Sequence, residues 1–321
     1  MVRYLVTGGK GFLGSHLVEQ LIDKKHDVYI FDNGSGNLST QFTKMVTIIS
    51  GDITEYSDFF QLSDYPKFDG VFHLAAKKSV SESVANPKLY EKVNVLGTQN
   101  LLDFCIQNNI ANIVYTSSAA VYGQSDLNPI ISETNPIETM NPYGVTKRQG
   151  EILLEAAVNS AGISGFSLRV FNIVGASKPS LYDNKGENVI PIMLRSLLQN
   201  ITFTVFGNNL NTRDGTSIRD YVHVSDVARA HVNAMECLHK SPRGNYEIAN
   251  VCSGSGVSML ELVNAVNSLS DVKLTWQYGE KRLGDPVSVI GNNQLANKIL
   301  GWKPEKDIIQ SMKESLDAVL G

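Results

Sequence analysis

Short apolar segments alternate along the chain with longer segments whose apolar residues recur at helical spacing. Seven of the short segments, rich in β-branched and aromatic residues, are predicted to be buried strands: 3–6, 28–31, 46–49, 70–74, 113–116, 166–170 and 246–249. The helical patterns between them lie near 12–24, 87–108, 143–160 and 225–238. Strands that alternate with helices in this way predict an α/β fold with a doubly wound parallel sheet and right-handed crossovers.

The pattern changes after about residue 170, which predicts a second, smaller α/β domain. Two loops at 175–187 and 207–218 separate shorter elements such as 274–278, and a closing helix carries Ile308, Met312, Leu316 and Val319 on one face. We expect a first domain over 1–170, to which a segment of about 220–250 returns, and a second domain that is mainly 171–321. The proline-containing segment 123–142 is too long for an ordinary connection and predicts a functional or mobile loop.

The composition narrows the possible functions. The 28 Lys and Arg residues against 32 Asp and Glu give a net charge of −4 without a block of like charges, so we expect no nucleic-acid or membrane partner. The three cysteines are too few for a disulfide framework and lack the spacing of metal ligands, so we expect no metal site. With no signal-like N-terminus and no run of 18 apolar residues, a cytoplasmic protein is expected.

A glycine-rich turn follows the first predicted strand. The segment 7–14 reads Thr-Gly-Gly-Lys-Gly-Phe-Leu-Gly and leads into a helix, so Gly8, Gly11 and Gly14 lie where a doubly wound sheet binds phosphates. A diphosphate can reach the backbone N–H groups and the positive helix N-terminus only where no Cβ intervenes. The pattern predicts a Rossmann-type dinucleotide site, although a tight turn between strand and helix would need similar glycines.

Aspartates follow the second and third predicted strands. Asp32 lies eighteen residues after Gly14, where a carboxylate accepts hydrogen bonds from the adenosine ribose of NAD and repels the 2′-phosphate of NADP. This predicts NAD, whereas the cation of Lys10 in the glycine loop could instead meet a 2′-phosphate. Asp52 follows the third strand and either bonds the adenine amino group or caps a helix.

A tyrosine and a lysine lie one helical turn apart at Tyr143 and Lys147, after a predicted strand that ends near Ser118. The carboxyl end of such a strand is where open α/β sheets bind ligands. A phenol is a poor base at neutral pH, but a nearby ammonium and an oxidised nicotinamide should lower its pKa. We expect Tyr143 to take a hydroxyl proton while NAD takes the hydride, with Ser118 bonded to the same oxygen. The alternative is an ordinary exposed helix face.

Several motifs together resemble those of the extended short-chain dehydrogenase/reductase family, over essentially the whole chain. They are the glycine loop at 7–14, His-Leu-Ala-Ala at 73–76, Asn-Val-Leu-Gly-Thr at 94–98, Ser-Ser-Ala-Ala-Val-Tyr-Gly at 117–123, Asn-Pro-Tyr at 141–143 with Lys147, Arg-Val-Phe-Asn at 169–172, the segment 214–226 and Arg-Leu-Gly-Asp-Pro at 282–286. The resemblance implies NAD as cofactor, a UDP-sugar as substrate, and a homodimer formed through the helices near 87–108 and 143–160.

The resemblance also implies which residues form the site. The implied catalytic residues are Tyr143, Lys147 and Ser118. The implied cofactor-binding residues are Gly8, Gly11, Phe12, Leu13, Gly14, Asp32, Asn33, Asp52, Ile53, Leu74, Ala75, Ala76, Lys78, Asn94, Ser117, Tyr143 and Lys147. For the substrate they are Lys78, Ser118, Tyr143, Asn172, Asn188, Val189, Phe206, Arg219, Arg282, Asp285 and Val289. Among these, Arg219 and Arg282 would meet the diphosphate, because a guanidinium fork matches phosphate oxygens.

One departure from the family pattern bears on the reaction. Members that remove water from a nucleotide sugar, or that decarboxylate one, carry acidic residues just after the catalytic-strand serine, where this chain has Ala119 and Ala120. The resemblance therefore implies inversion at C4 of a UDP-hexose through a 4-keto sugar. The alternatives are a dehydratase or decarboxylase of the same family, a net oxidoreductase of a small alcohol, and a non-catalytic NAD-binding protein.

A residue four places after Asp285 bears on the choice of sugar. In this family a tyrosine at that place restricts the pocket to UDP-glucose and UDP-galactose, and a smaller residue also admits the N-acetyl sugars. This chain has Val289 there. We therefore expect UDP-N-acetylglucosamine and UDP-N-acetylgalactosamine to be accepted, unless Val289 is only a strand residue of the second domain.

Overall fold

The computed structural model describes residues 2–36, 40–123, 130–183, 186–282 and 285–320. Its strands are β1 (Arg3–Thr7), β2 (Asp27–Asp32), β3 (Thr47–Ser50), β4 (Gly70–His73), β5 (Asn112–Ser118), β6 (Ile130–Ile131), β7 (Ser164–Val170), β8 (Asn172–Val174), β9 (Phe203–Phe206), β10 (Ile218–His223), β11 (Tyr246–Val251), β12 (Gly256–Ser258), β13 (Trp276–Gly279) and β14 (Ser288–Gly291). Residues 124–129 of the predicted loop 123–142 lie outside the described residues.

The helices separate these strands. They are α1 (Phe12–Asp23), α2 (Thr40–Thr43), α3 (Val80–Ala85), α4 (Pro87–Tyr90), α5 (Gly97–Gln107), α6 (Pro142–Ala161), α7 (Val189–Gln199), α8 (Val224–Lys240), α9 (Met259–Leu269), α10 (Gln294–Leu300) and α11 (Ile308–Leu320). Short 3₁₀ helices cover Tyr56–Asp64, Ala119–Val121 and Pro179–Leu181. The helix predicted over 87–108 is confirmed as one continuous helical segment, in which a π-helical stretch, Glu91–Leu96, joins α4 to α5.

The seven predicted strands form one parallel sheet in the order β11-β7-β5-β4-β1-β2-β3, which confirms the predicted fold class. Each predicted strand ends within two residues of the observed bounds. The strand order changes direction between β1 and β4, and the crevice at the carboxyl ends of these two strands is where such sheets bind ligands.

Helices cover both faces of the seven-stranded sheet. On one face, Leu17 of α1 and Met235 of α8 pack with Val6 of β1 in a buried cluster. On the other face, Leu101 of α5 and Leu154 of α6 pack with the sheet in a second cluster. Because both faces are buried, the central strands contain nearly continuous apolar residues, and this is why the sequence pattern identified them.

A second sheet is formed mainly by the later part of the chain. Its strands lie in the order β12-β10-β14-β6, with β8 paired to β10, and β9 and β13 form a separate parallel pair. The helices α7, α9 and α11 contribute Met193, Leu262 and Met312 to a third buried cluster beside it. By contrast, β11 follows β10 in the chain but forms an edge of the seven-stranded sheet. Among the described residues, no helix has the length and apolar character needed to cross a bilayer.

Candidate active site

The glycine loop lies directly against the end of β4. Gly8 has φ +71°, and a Cβ there would lie 2.7 Å from the backbone nitrogen of Ala75. A side chain at this position would therefore be strained and would also collide with the neighbouring strand end. Gly11 N donates to Gly8 O at 3.0 Å, and α1 begins at the next residue. The loop thus presents a helix N-terminus at a surface without side chains, which fits the diphosphate of a dinucleotide.

Asp32 connects the end of β2 to this loop. Its carboxylate is 7% exposed, and its two oxygens accept hydrogen bonds from Lys10 N at 3.1 Å and from Gly34 N at 2.8 Å. Asp32 thereby holds the glycine loop in place from the neighbouring strand. Ionised oxygens at this edge are the acceptors that the adenosine ribose of NAD requires.

The end of β3 lies beside that of β2 and brings Asp52 near Asn33. Burial raises the pKa of Asp52, but hydrogen bonds from Thr54 and Asn33 outweigh burial, so the pKa lies below its usual value. Thr54 N donates to Asp52 Oδ1 at 2.8 Å. Asp52 therefore stabilises the turn that follows β3. Next to it, the buried side chain of Ile53 fills the space under Gly97 at the start of α5.

The residues after β4 form the side of the crevice opposite β2. Leu74 N and Ala75 N donate to the carbonyl and the hydroxyl of Thr7, at 3.1 and 3.3 Å. The amide of Asn94, in the π-helical stretch, donates to Lys77 O and accepts from Lys77 N. Asn94 therefore positions the segment that leads from Ala76 to Lys78, and direct contact of its side chain with a cofactor stays a prediction.

Lys78 extends from this segment across the crevice. Its Nζ pairs with Asp183 Oδ2 at 3.1 Å, and its side chain is more than half exposed. Asp183 precedes α7, which begins at Val189 after Asn188. This ion pair thus connects the segment after β4, which is predicted to bind the cofactor, with the segment before α7, which is predicted to bind the substrate.

Tyr143 is positioned by the first turn of α6. Asn141 caps this helix by accepting a hydrogen bond from Gly144 N at 2.9 Å. A Cβ at Gly144 would collide with the carbonyl of Ala120, so glycine allows α6 to approach the 3₁₀ turn after Ser118 closely. Tyr143 therefore lies beside Ser118, whose hydroxyl lowers the pKa of the phenol.

Lys147 lies one turn further along α6 and is buried. Its Nζ donates to Thr116 O at 2.8 Å and lies 5.1 Å from the ring centre of Tyr115. Burial lowers the pKa of Lys147 to about 7, and the negative charge of Glu151 opposes this change.

The predicted lowering of the Tyr143 pKa combines the Lys147 ammonium with an oxidised nicotinamide, and the protein side chains alone do not produce it. Burial raises the pKa of Tyr143 above its usual value, and the hydrogen bond with Ser118 only partly opposes this change. Burial is the larger cause, while the Lys147 ammonium donates to the Thr116 carbonyl of β5. Lowering the Tyr143 pKa therefore depends on positive charge brought by a ligand.

Residues predicted for the substrate lie on the second sheet, around α7, and at the ends of the separate pair of β9 and β13. Arg219 on β10 is in register with Val289 on β14, and Arg219 Nη1 donates to Ile218 O at 2.8 Å. Burial lowers the pKa of Arg219. The guanidinium of Arg282 stacks on the ring of Phe206, 3.8 Å from its centre.

Three further predicted positions occupy the same side of the crevice. Asp285 N donates a backbone hydrogen bond to Arg282 O at 3.4 Å, so Asp285 and Arg282 lie close to each other. Asn172 begins β8 and donates to Asp220 O at 3.1 Å. Asn188 immediately precedes α7, and it lines a small cavity together with Phe12 of the glycine loop. The N-terminal ends of α1 and α7 thus open onto one cavity, which joins a predicted cofactor residue to a predicted substrate residue.

Two charged residues beside the predicted catalytic residues had no role in the sequence-based predictions. Glu151 lies two turns after Tyr143 on the same face of α6, and Arg169 on β7 forms a buried ion pair with it at 2.8 Å. The spacing of 143, 147 and 151 is a helical-face signal that could have identified Glu151. The hydroxyl of Ser117 also donates to Glu151. Its proton is therefore already used inside the protein, and Ser117 would contact a cofactor through its backbone.

A doubly wound sheet, a glycine loop at its switch point and a Ser-Tyr-Lys cluster at a strand end define a dinucleotide-binding protein with acid–base groups beside the cofactor. The family model described as the NAD dependent epimerase/dehydratase family matches residues 4–252. The chain belongs to this family, whose cofactor is NAD.

Individual relatives match along nearly the full chain. The UDP-glucose 4-epimerase of Lacticaseibacillus casei is 36% identical, covering 97% of this chain and 94% of the relative. The crystal structure of UDP-glucose-4-epimerase from Stenotrophomonas maltophila, with bound NAD and formylated UDP-arabinopyranose, has a TM-score of 0.92 at 31% identity, covering 99% of this chain and 98% of that one. The UDP-Glc/GlcNAc 4-epimerase of Campylobacter jejuni has a TM-score of 0.86 at 28% identity, covering 99% of each chain.

Proposed function

We propose that this protein is an NAD-dependent 4-epimerase of UDP-hexoses that interconverts UDP-glucose and UDP-galactose. One observation carries the proposal: a single acid–base cluster of Ser118, Tyr143 and Lys147 beside the glycine loop, followed by Ala119 and Ala120 where elimination would need acids. Such a site suits removal and return of hydrogen at one carbon. The relatives named as UDP-glucose 4-epimerases support the same reaction.

The residues of this chain supply the proton chemistry. When bound, NAD supplies the reversible oxidation of the C4 alcohol to a ketone, and Gly8 and Asp32 are among the residues that would hold it. Tyr143 Oη takes the proton of the 4-hydroxyl, and the Ser118 hydroxyl bonds the same oxygen. The Lys147 ammonium, held on the Thr116 carbonyl, adds positive charge that favours the phenolate.

Inversion requires the 4-keto sugar to present its other face before Tyr143 returns the proton to the oxygen. The ring can turn only if the diphosphate stays bound while contacts to the sugar are weak. Arg219 and Arg282 lie on the side of the second sheet and can supply the cations for the diphosphate. In this proposal the domain of residues 1–170, with the segment of about 220–250, holds the cofactor, and 171–321 mainly holds UDP.

The decisive experiment follows both UDP-sugars and the cofactor in one reaction. The purified protein is incubated with UDP-glucose, and the products are followed by proton NMR while absorbance at 340 nm reports the reduced cofactor. We expect UDP-galactose to form without net consumption of NAD. Stoichiometric accumulation of NADH, or an eliminated or decarboxylated product, would refute epimerisation and favour one of the rival activities.

The proposal extends to N-acetylated UDP-hexoses because of the surroundings of Val289. Its side chain packs against the cluster of Val121, Tyr122 and Ile131, whose first two members directly follow Ala119 and Ala120, and it is in register with Arg219. It therefore lies between the catalytic turn and a candidate diphosphate ligand. A small side chain there leaves room for a 2-substituent on the sugar. The relative named as a UDP-Glc/GlcNAc 4-epimerase shares this fold.

The proposal also includes a homodimer. Leu96, Val145 and Ile152 are 40–48% exposed on the helices predicted to form the interface. Exposed apolar side chains grouped in this way are typical of a surface that another protein covers. Light scattering coupled to size-exclusion chromatography should give the mass of two chains, and Ile152→Glu should shift it toward one. A monomeric wild-type protein at micromolar concentration would contradict the homodimer.

A further inference from the structure

We propose that Glu151, held by Arg169, is a positioning residue that sets both the place of the catalytic serine and the charge environment of Lys147. The inference rests on the proposed function, because it assigns Glu151 a part in the same acid–base chemistry. Glu151 does not border the crevice itself; it acts through Ser117 and Lys147. Its role follows from how the buried polar groups behind the crevice are connected.

The carboxylate of Glu151 is completely buried and fully used as an acceptor. Oε1 accepts from Ser117 Oγ at 2.6 Å and from Arg169 Nε at 2.8 Å. Oε2 accepts from Arg169 Nη2 at 2.8 Å and from Arg148 Nη1 at 2.9 Å. A bidentate guanidinium fixes the orientation of a carboxylate, and removal of either partner leaves a buried charge uncompensated.

The network extends from Arg169 to the turn after the catalytic strand. Arg169 Nη1 donates to the hydroxyl of Tyr122 at 2.8 Å, and that hydroxyl donates to Asn250 Oδ1 at 2.8 Å. The guanidinium carbon of Arg169 also lies 4.9 Å from the centre of the Tyr122 ring. Tyr122 ends the 3₁₀ turn that begins after Ser118. One end of this turn is thus tied to β11 and the other to α6.

Three residues on one face of α6 hold three consecutive residues of β5. Lys147 donates to the carbonyl of Thr116, Glu151 accepts from the hydroxyl of Ser117, and Tyr143 lies beside Ser118, whose hydroxyl lowers its pKa. Anchoring the Ser117 hydroxyl to α6 fixes the end of β5, and Ser118 is the next residue along the chain. A change at Glu151 should misplace Ser118 although the two side chains belong to different elements.

The negative charge of Glu151 also acts on the Lys147 ammonium, which lies one turn earlier on the same helix. The other titratable groups that face Lys147 are Tyr143 on the same helix, Tyr115 on β5 and His73 on β4. Burial, together with the charge of Lys147, lowers the pKa of His73 to about 3, so His73 is neutral at physiological pH. Removal of the Glu151 charge should therefore release the Lys147 proton at lower pH.

The experiment compares Glu151→Gln with Glu155→Gln, which changes an exposed glutamate one turn further along the same helix. Both variants are assayed from pH 6 to 10 with UDP-glucose, and circular dichroism and extracted NAD report the folded holoenzyme. We expect Glu151→Gln to lower kcat at least tenfold, to change KM less than threefold, and to move the alkaline limb of kcat down by about one pH unit. Glu155→Gln should match the wild type.

Two further measurements separate charge from position and do not depend on turnover. The ¹³C signal of the Lys147 side chain in lysine-labelled protein, assigned with Lys147→Arg, should titrate about one pH unit lower in Glu151→Gln. Ser117→Ala removes only the strand anchor, so it should lower kcat threefold or more without moving that titration. It also serves as the test if Glu151→Gln fails to fold.

The outcomes distinguish the two proposals. If the wild-type protein converts no UDP-sugar, the proposed function fails. If the wild type epimerises while folded Glu151→Gln keeps kcat within threefold and an unshifted lysine titration, the role of Glu151 is overturned. Wild-type kcat in Ser117→Ala would likewise overturn the positioning of Ser118.

Discussion

The ammonium of Lys147 donates a 2.8 Å hydrogen bond to the carbonyl of Thr116, two residues before the serine that bonds Tyr143. The charged end of the lysine is thereby anchored to β5. Burial lowers the pKa of Lys147 to about 7 and raises the pKa of Tyr143. Both pKa changes favour the neutral forms of Lys147 and Tyr143. The positive charge of a bound nicotinamide would therefore contribute strongly to forming the Tyr143 phenolate.

The first prediction concerns the pH dependence of stability. The pKa of Lys147 is about 7 in the folded protein and about 10.4 in an unfolded chain, so the unfolded state binds more protons between these values. Lys147 therefore makes the free energy of unfolding rise with pH in this window, by up to about 1.4 kcal/mol per pH unit. Urea unfolding at pH 7, 8 and 9 should show a flatter dependence in Lys147→Met. The exposed Lys88→Met is the control, and equal slopes in all three proteins would contradict the assigned shift.

The second prediction concerns the catalytic base. Tyr143→Phe removes the proton-accepting group while keeping the ring, so kcat should fall by roughly 10²–10⁴-fold. Binding of UDP, measured by calorimetry, should stay within about threefold of the wild type. Tyr65→Phe changes a partly exposed tyrosine away from the crevice and should leave kcat unchanged. If Tyr143→Phe keeps the wild-type kcat, Tyr143 is not the base and another residue must accept the proton.

The third prediction concerns the glycine loop. Gly8→Ala combines a left-handed backbone conformation with a close approach to Ala75, so it should destabilise the protein by about 1–3 kcal/mol and reduce the NAD that copurifies. Gly162 has a similar positive φ, but no atom lies within 4 Å of the Cβ that Gly162→Ala would add. That variant should lose stability by about 1 kcal/mol and retain NAD. Equal NAD content in the two variants would argue against a cofactor site at Gly8.

The fourth prediction concerns the candidate diphosphate ligands. Arg219→Ala should weaken UDP binding by about 10- to 100-fold, because a hydrogen bond to a charged group contributes about 1.5–3 kcal/mol. Arg282→Lys keeps the charge but loses the planar stack on Phe206, so a smaller loss is expected. Calorimetry with UDP measures both, with the exposed Arg243→Ala as control. Unchanged affinity in Arg219→Ala would exclude it as a ligand.

The fifth prediction concerns the sugar. The wild type should epimerise UDP-N-acetylglucosamine, and Val289→Tyr should lose this activity at least tenfold while its rate on UDP-glucose changes less than threefold. The reason is steric, since a tyrosine would fill space beside the cluster of Val121, Tyr122 and Ile131. Val287→Tyr, two residues earlier on the chain, is the comparison. Equal losses on both sugars would show damage to the strand and not a specificity position.

The sequence by itself determined the seven-stranded parallel sheet. Strands buried on both faces contain continuous apolar residues, and this signal is local, so β1 to β5, β7 and β11 were all predicted. The glycine loop was predicted for a related reason, since its glycines are a backbone requirement that depends only on neighbouring residues. The direction of the Lys147 ammonium was not predictable, because it depends on where the Thr116 carbonyl meets α6.

Only the tertiary structure decided which polar groups share the interior behind the crevice. Glu151, Arg169 and Tyr122 are separated by up to 47 residues, and no local pattern links their side chains. Their pairing depends on the packing of α6 against β5 and β7. The same packing removes water from Tyr143 and Lys147, which is why their pKa values move in directions that the spacing of two residues on a helix does not determine.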